Sequence, residues 1–100
     1  MVGKYKVITL CGSAKFKEDF LKVQKQLSLE GNIVVSVGFF DNVESDEIKT
    51  MLGDMHKRKI DMADEIFVIN KNGYIGSSTK SEIEYATKTG KKVNYLENPS

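Results

Sequence analysis

Scarcity is the first message of this chain. Its 100 residues contain one cysteine, one histidine and one proline. A lone cysteine, Cys11, excludes an intrachain disulfide and fits a reducing compartment. A lone histidine, His56, makes no metal site with its sequence neighbours Lys57, Arg58 and Lys59. No apolar run approaches the ~20 residues of a membrane span, and no signal peptide is recognisable, so a cytoplasmic location is expected. The formal net charge is only +1, so no global field favours nucleic acid or a membrane surface. There is no Walker loop and no Gly-x-Gly-x-x-Gly. Internal repeats, low-complexity tracts and linkers are absent from the sequence. Neither a metal nor a cofactor is expected. The length suits one domain, 1–100, able to bury roughly 60–70% of its unfolded surface without staples.

What is present is an alternation of strand and helix. Val7 to Cys11 is a nearly continuous apolar run, as in a strand buried on both faces. Gly12 and Ser13 break it. Phe16, Phe20, Val23 and Leu27 then recur at helical spacing among Lys and Glu, and Gly31-Asn32 stops that helix. Ile33 to Val37 reads as a second strand, rich in β-branched residues. A loop over Gly38 to Ser45 follows. Ile48, Met51, Leu52, Met55 and Met62 make the expected apolar face of a second helix. Glu65 to Asn70 reads as the third strand. The third helix is expected from near Thr79 to Gly90, and Val93 to Leu96 as a fourth strand. The tail, Glu97 to Ser100, is expected to fray. The order β-α-β-α-β-α-β argues for an α/β fold: a four-stranded parallel sheet with helices on both faces, three layers in a Rossmann- or flavodoxin-like arrangement. Right-handed crossovers and strand order 2-1-3-4 place the switch of winding between strands 1 and 3. Ligands in such folds bind there, outside the carboxyl ends of the strands. The loops Cys11-Gly12-Ser13 and Asn70 to Ser78 both reach that crevice.

The richest stretch is Gly73 to Ala86. It begins as a Gly/Ser loop after an apolar strand and ends as an amphipathic helix. Its glycines and hydroxyls lead into a helix N-terminus, where unpartnered N–H groups and the dipole favour an anion. Glu82 lies one turn inside. Thr79-Lys80-Ser81-Glu82 also fits a capping box, worth about 1 kcal/mol, so a capping role stands beside a catalytic one. Glu84 is about 200° from Glu82 around the helix, so the two do not share a face. Ile83 and Ala86 mark the sheet side, and Glu82 aligns with Ala86, which leaves Glu84 to solvent. A dipole acting on Glu82 would lower its pKa and keep it ionised.

Other residues have plain readings beside functional ones. Gly12-Ser13 suits a tight turn that brings amides to a ligand, and Ser13 equally suits a simple N-cap. Cys11 reads as a small apolar residue ending a buried strand, since no base partner is evident in sequence. The run His56 to Lys59 reads as the solvated face of the second helix, with one member available to a phosphate. Asp64 suits a turn or cap before the third strand. Phe39 and Phe40 suit core filling, or stacking on a base.

Cys11-Gly12-Ser13, Ala63-Asp64 and the Gly/Ser loop leading to Glu82-Ile-Glu-Tyr-Ala86 together resemble the nucleoside 2-deoxyribosyltransferase superfamily. The branch most similar in look is the 2'-deoxynucleoside 5'-phosphate N-hydrolases. The resemblance implies a nucleotide N-glycosidase or deoxyribosyltransferase-like enzyme. Glu82 falls on the family's catalytic glutamate, which attacks the anomeric carbon. Gly12 and Ser13 fall on the turn contacting sugar and phosphate, and Gly76, Ser77 and Ser78 on the second phosphate loop. The family often has a tyrosine in the first strand, where this chain has Thr9 and Leu10. The family's aspartate supporting the glutamate aligns near His56, beside Asp54. The implied partner is a small nucleotide or nucleoside, and the implied assembly is a homodimer that completes its sites with a second subunit. Two alternatives are a non-catalytic nucleotide-binding protein and an enzyme of this fold acting on another ribosyl nucleotide, such as a dinucleotide.

Overall fold

A computed structural model of the chain describes residues 2–39 and 45–98. Phe40, most of the expected 38–45 loop and the last two residues of the tail lie outside the described residues. The elements are β1 (Val7–Gly12), α1 (Lys17–Leu29), β2 (Ile33–Val35), α2 (Asp46–Asp61), β3 (Glu65–Ile69), α3 (Ser77–Lys88) and β4 (Lys92–Tyr95). Single 3₁₀ turns, Ala14–Phe16 and Lys71–Gly73, join β1 to α1 and follow β3. The sheet is wholly parallel with order β2-β1-β3-β4, as the sequence pattern implies.

Alternation along the strands sorts the core into two halves. Ile8, Leu10 and Ile69 face α1 and pack with Phe20, Val23 and Leu27. Cys11, Ile66 and Val68 face the other way and pack with Ile60 of α2 and Ala86 of α3. Among the described residues, one helix thus lies on one side of the sheet and two on the other. Asp64 holds β1 in register: its backbone N–H donates to the Val7 carbonyl at 2.8 Å, and its carboxylate accepts from the Val7 N–H at 2.8 Å.

Two local expectations need correction. Most of the face of α2 read as apolar and inward is turned outward: Ile48, Met51, Met55 and Met62 are exposed, and Leu52 alone of the five is half-buried. The residues that α2 buries are His56 and Ile60. His56, read as part of a solvated run, is 5% exposed. One helical turn separates His56 from Ile60, and both sit on the stripe that meets the sheet. Hydropathy favoured the methionines because histidine scores as polar, yet the imidazole finds polar partners inside. Second, α3 begins at Ser77 rather than near Thr79. Gly76 is its N-cap, in extended geometry and without a side-chain cap bond. Thr79 is 4% exposed within the first turn, so Thr79 and Glu82 do not form a capping box. Glu82 is freed from capping for another task.

Gly12 ends β1 with φ +154°. A Cβ there would sit 2.9 Å from the Ile69 carbonyl oxygen and 3.2 Å from Phe20 Cζ. Glycine at this position is explained by packing between adjacent strands and α1.

Candidate functional site

Three chemically active side chains, from three separate elements, meet beside the carboxyl end of β1. Cys11 comes from β1, His56 from the inner stripe of α2 and Glu82 from the second turn of α3. Cys11 Sγ lies 3.4 Å from His56 Nε2, and His56 Nε2 lies 3.7 Å from Glu82 Oε1. The three ligand-capable atoms all fall within 4.8 Å of one another. The side chains of His56 and Glu82 are 7% and 14% exposed.

Burial sets the charge of each group. Desolvation pushes the Glu82 carboxyl up to about 7, opposed by the nearby Cys11 thiol and by the Lys57 ammonium. The expected lowering by the helix dipole is therefore outweighed, because the carboxylate sits between two helices rather than at the solvated tip of one. Desolvation lowers His56 to about 4, helped by the charge of Lys59 and opposed by the Leu10 backbone. Its imidazole is neutral at physiological pH. Burial and the neighbouring carboxylate push the Cys11 thiol far up, out of the range of a thiolate nucleophile. A catalytic thiolate–imidazolium pair needs the opposite shifts. The neutral cluster therefore leaves Glu82 as the group that changes charge near neutral pH.

Glu82 is the shared floor of two clefts between α2 and α3. One, of about 510 Å³, is walled by Thr50, Asp54 and Lys57 on α2 and by Ser77, Ser78 and Ser81 on α3. The other, of about 490 Å³, is walled by Ser36, Lys49, Met55 and Lys59, with His56 at its base. Gly53 and Ser78 border both. A Cβ on Gly53 would meet nothing within 4 Å, so this helical glycine keeps the wall between them low.

The α3 N-terminus opens into the first cleft. Its first internal hydrogen bond runs from the Lys80 N–H to the Gly76 carbonyl, so the N–H groups of Ser77, Ser78 and Thr79 have no partner within the helix. The preceding loop is pinned to the rest of the fold. Buried Asn70 exchanges two 2.8 Å hydrogen bonds with the Glu97 backbone, and the Asn72 N–H donates to the Glu97 carboxylate. Lys71 pairs with Asp19 of α1 at 3.2 Å. Across the second cleft the Lys59 ammonium donates to the Ser36 carbonyl at 3.0 Å. The Ser36 hydroxyl is buried with no partner among the described residues.

The chain matches no protein-family model and no curated protein.

The site geometry therefore carries the argument. Of the residues singled out in sequence, Ser77, Ser78 and Glu82 line the clefts together. Gly76 caps the helix just behind them, and its Cα faces the Tyr74 hydroxyl, 3.4 Å from where a Cβ would lie. Gly12 and Ser13 line neither cleft. Gly12 is packed against Ile69 and Phe20, and the Ser13 hydroxyl accepts from the Lys15 N–H at 3.3 Å, capping the 3₁₀ turn. Sequence reading missed Cys11 as a neighbour of Glu82, and Gly53 and Lys49 as cleft residues; Lys57 and Lys59 belong to the run from which one member was expected to reach a phosphate, and each lines a cleft. The period-2 alternation in β1 was the available signal, since it puts Cys11 on the face opposite Leu10.

Proposed function

We propose that this protein cleaves the N-glycosidic bond of a small nucleotide, with Glu82 as the nucleophile. One observation supports this above the others: a carboxylate, 14% exposed, lies beneath two adjoining clefts, with a helix N-terminus opening into the same space. A nucleoside 5'-phosphate has matching parts. Its phosphate would take the N–H groups of Ser77 to Thr79 and the Lys57 ammonium in the first cleft. Its sugar would rest over Glu82, and its base would enter the second cleft toward Lys59 and Ser36.

The chemistry follows from charge. Rupture of the C1'–N bond builds positive charge on the sugar ring. A poorly solvated carboxylate is uncomfortable in the free protein and gains a counter-charge as that positive charge develops, a stabilisation specific to the transition state. Glu82 Oε bonds to C1' as the base departs with the bonding pair and takes a proton from water in the open cleft, a proton that the attacking water or base returns in the second step. Water, or a second base, then attacks C1' and releases Glu82. The raised pKa makes Glu82 a better nucleophile than an ordinary carboxylate when ionised, at the cost of a smaller ionised fraction near neutral pH.

A second reading, plain nucleotide binding, is favoured by His56. A neutral imidazole stands 3.7 Å from Glu82, where the resembled family places a supporting aspartate. Incubation with a panel of nucleotides, read by chromatography of released base, separates the two. Release by the wild type and none by Glu82→Gln fits catalysis, whereas binding without release in both fits the second reading.

The proposal includes a homodimer in the cytoplasm. Ile48, Met51 and Met55 of α2 are exposed, each about half, beside clefts that are open to solvent. A two-fold pair would set this face against itself and deepen both sites. Light scattering at micromolar concentration should give twice the chain mass, and a strictly monomeric mass would remove the shared site. Among the described residues, no helix is long and apolar enough to cross a membrane.

A further inference from the structure

The Cys11, His56 and Glu82 cluster has a property that nucleotide cleavage does not use. We propose that these three side chains form a binding site for one thiophilic divalent cation, zinc being the natural occupant. The fold overrides the sequence-based expectation here: His56 lacks ligand partners among its neighbours along the chain, and the packing of β1, α2 and α3 supplies a sulfur and a carboxylate from far away.

Three observations carry the inference. The first is the donor set. One sulfur, one imidazole nitrogen and one carboxylate oxygen are the ligand types that zinc selects. The second is geometry. A tetrahedral zinc ion with ordinary bond lengths separates a sulfur from a nitrogen by about 3.5 Å, and a nitrogen from an oxygen by about 3.3 Å. The cluster has 3.4 Å and 3.7 Å for these pairs, with all three atoms inside 4.8 Å. The Cys11–Glu82 pair lies within 4.8 Å, where a tetrahedral ion needs about 3.6 Å, so a closure of up to about 1.2 Å falls to a turn of the Glu82 side chain. The third is support around the ligands. His56 is buried on the inner stripe of α2, its side chain only 7% exposed, so packing fixes the ring. Cys11 is completely buried within β1, so its sulfur is held by the sheet itself.

Three protein ligands leave a fourth position, and two of them, His56 and Glu82, line the second cleft. Such an open site takes water or a substrate atom. Binding replaces the Cys11 thiol proton, which leaves to solvent, and no electrons are transferred. Buried thiol, imidazole and carboxyl groups are costly to gather without strong mutual bonds, and a bound cation would supply those bonds. Because the ion would hold the Glu82 oxygen proposed to attack C1', metal occupancy and nucleophilic attack exclude each other. The site inference stands independently of the cleavage reading.

Cobalt(II) reports directly on this coordination. Untagged full-length chain, reduced and stripped with chelator, is titrated with Co²⁺ and followed by absorption. The expected result is one ion per chain, with the visible bands of a four-coordinate ion and a near-ultraviolet thiolate-to-cobalt band, both erased when Zn²⁺ is added. Cys11→Ser should remove the thiolate band. His56→Gln and Glu82→Gln should each weaken binding at least tenfold, with circular dichroism confirming that each variant is folded. Absence of the thiolate band from the wild type at excess Co²⁺ overturns the proposal, whatever the variants do. So does a Cys11→Ser protein that binds with unchanged affinity. Neither result bears on base release, which is measured in chelator.

Discussion

Replacing Glu82 by Gln should make the protein more stable at alkaline pH, an unusual outcome for the loss of a central polar residue. Burial raises the Glu82 carboxyl from 4.5 to about 7. A group whose pKa is higher in the folded state stabilises the fold below its unfolded pKa, and that stability is lost as pH rises through the folded value. The loss begins near 4.5 and is complete above about 7. At about 1.4 kcal/mol per pKa unit, the ionised Glu82 costs roughly 3 kcal/mol at about pH 8. His56 runs in the opposite sense. Its pKa is lowered from 6.5 to about 4, so its stability is present above 6.5 and is lost as pH falls toward 4. In the wild type the two trends overlap and largely cancel across this range. Glu82→Gln leaves only the His56 trend. Urea unfolding in the presence of chelator, between about pH 4 and pH 8, should therefore give a nearly flat wild type and a variant that gains stability with pH. The amide gives up part of the gain through imperfect contacts, so the advantage at about pH 8 should be about 1–3 kcal/mol. A variant less stable than the wild type at about pH 8, with an unchanged pH profile, would refute the claim that Glu82 is a desolvated carboxylate.

Gly53→Ala should stabilise α2 by about 0.5–1 kcal/mol in thermal or urea unfolding, because helical glycine is costly and the added methyl meets open space. Gly53→Leu at the same position should leave the fold intact and weaken nucleotide binding in calorimetry by filling the boundary between the clefts; unaltered binding would place the ligand elsewhere. Gly12→Ala should destabilise by about 1–3 kcal/mol through its clash with the Ile69 carbonyl and Phe20, and a neutral effect on unfolding would contradict the packing account of that glycine.

The architecture was legible because its signals are periodic and redundant. The alternating strand–helix order, the apolar run in β1 and the stop at Gly31-Asn32 all point to one parallel sheet, and the order 2-1-3-4 follows from handedness and connection rules. The last three strands were read one or two residues long at their ends and the first one residue short: the second was expected to reach Val37, but pairing stops at Val35 opposite Thr9, and Ser36 and Val37 wall the second cleft. The rotation of α2 was not legible. A hydropathy pattern weighs Met51 and Met55 above His56, while the fold rewards His56 with Cys11 and Glu82. Those partners lie 45 and 26 positions away in the chain, and no local rule joins them. Glu82 was recognisable as a candidate from its place after the Gly/Ser loop. Its elevated pKa was not, because helix position suggests one sign and burial imposes the other. Gly12 shows the converse case: its conspicuous place after a strand suggested ligand contact, yet close approach of Ile69 and Phe20 already requires it.

The central claim is that Glu82 attacks the anomeric carbon of a nucleotide, and one measurement addresses it directly. Wild type and Glu82→Gln, both in chelator, are incubated with ribo- and deoxyribonucleoside 5'-monophosphates, with and without a second free base as acceptor. Chromatography then quantifies free base and any exchanged nucleotide. The account predicts time-dependent base release or exchange by the wild type and none by the folded variant. Equal turnover by the two proteins would contradict it, as would tight nucleotide binding by the wild type with no free base and no exchange product from any member of the panel.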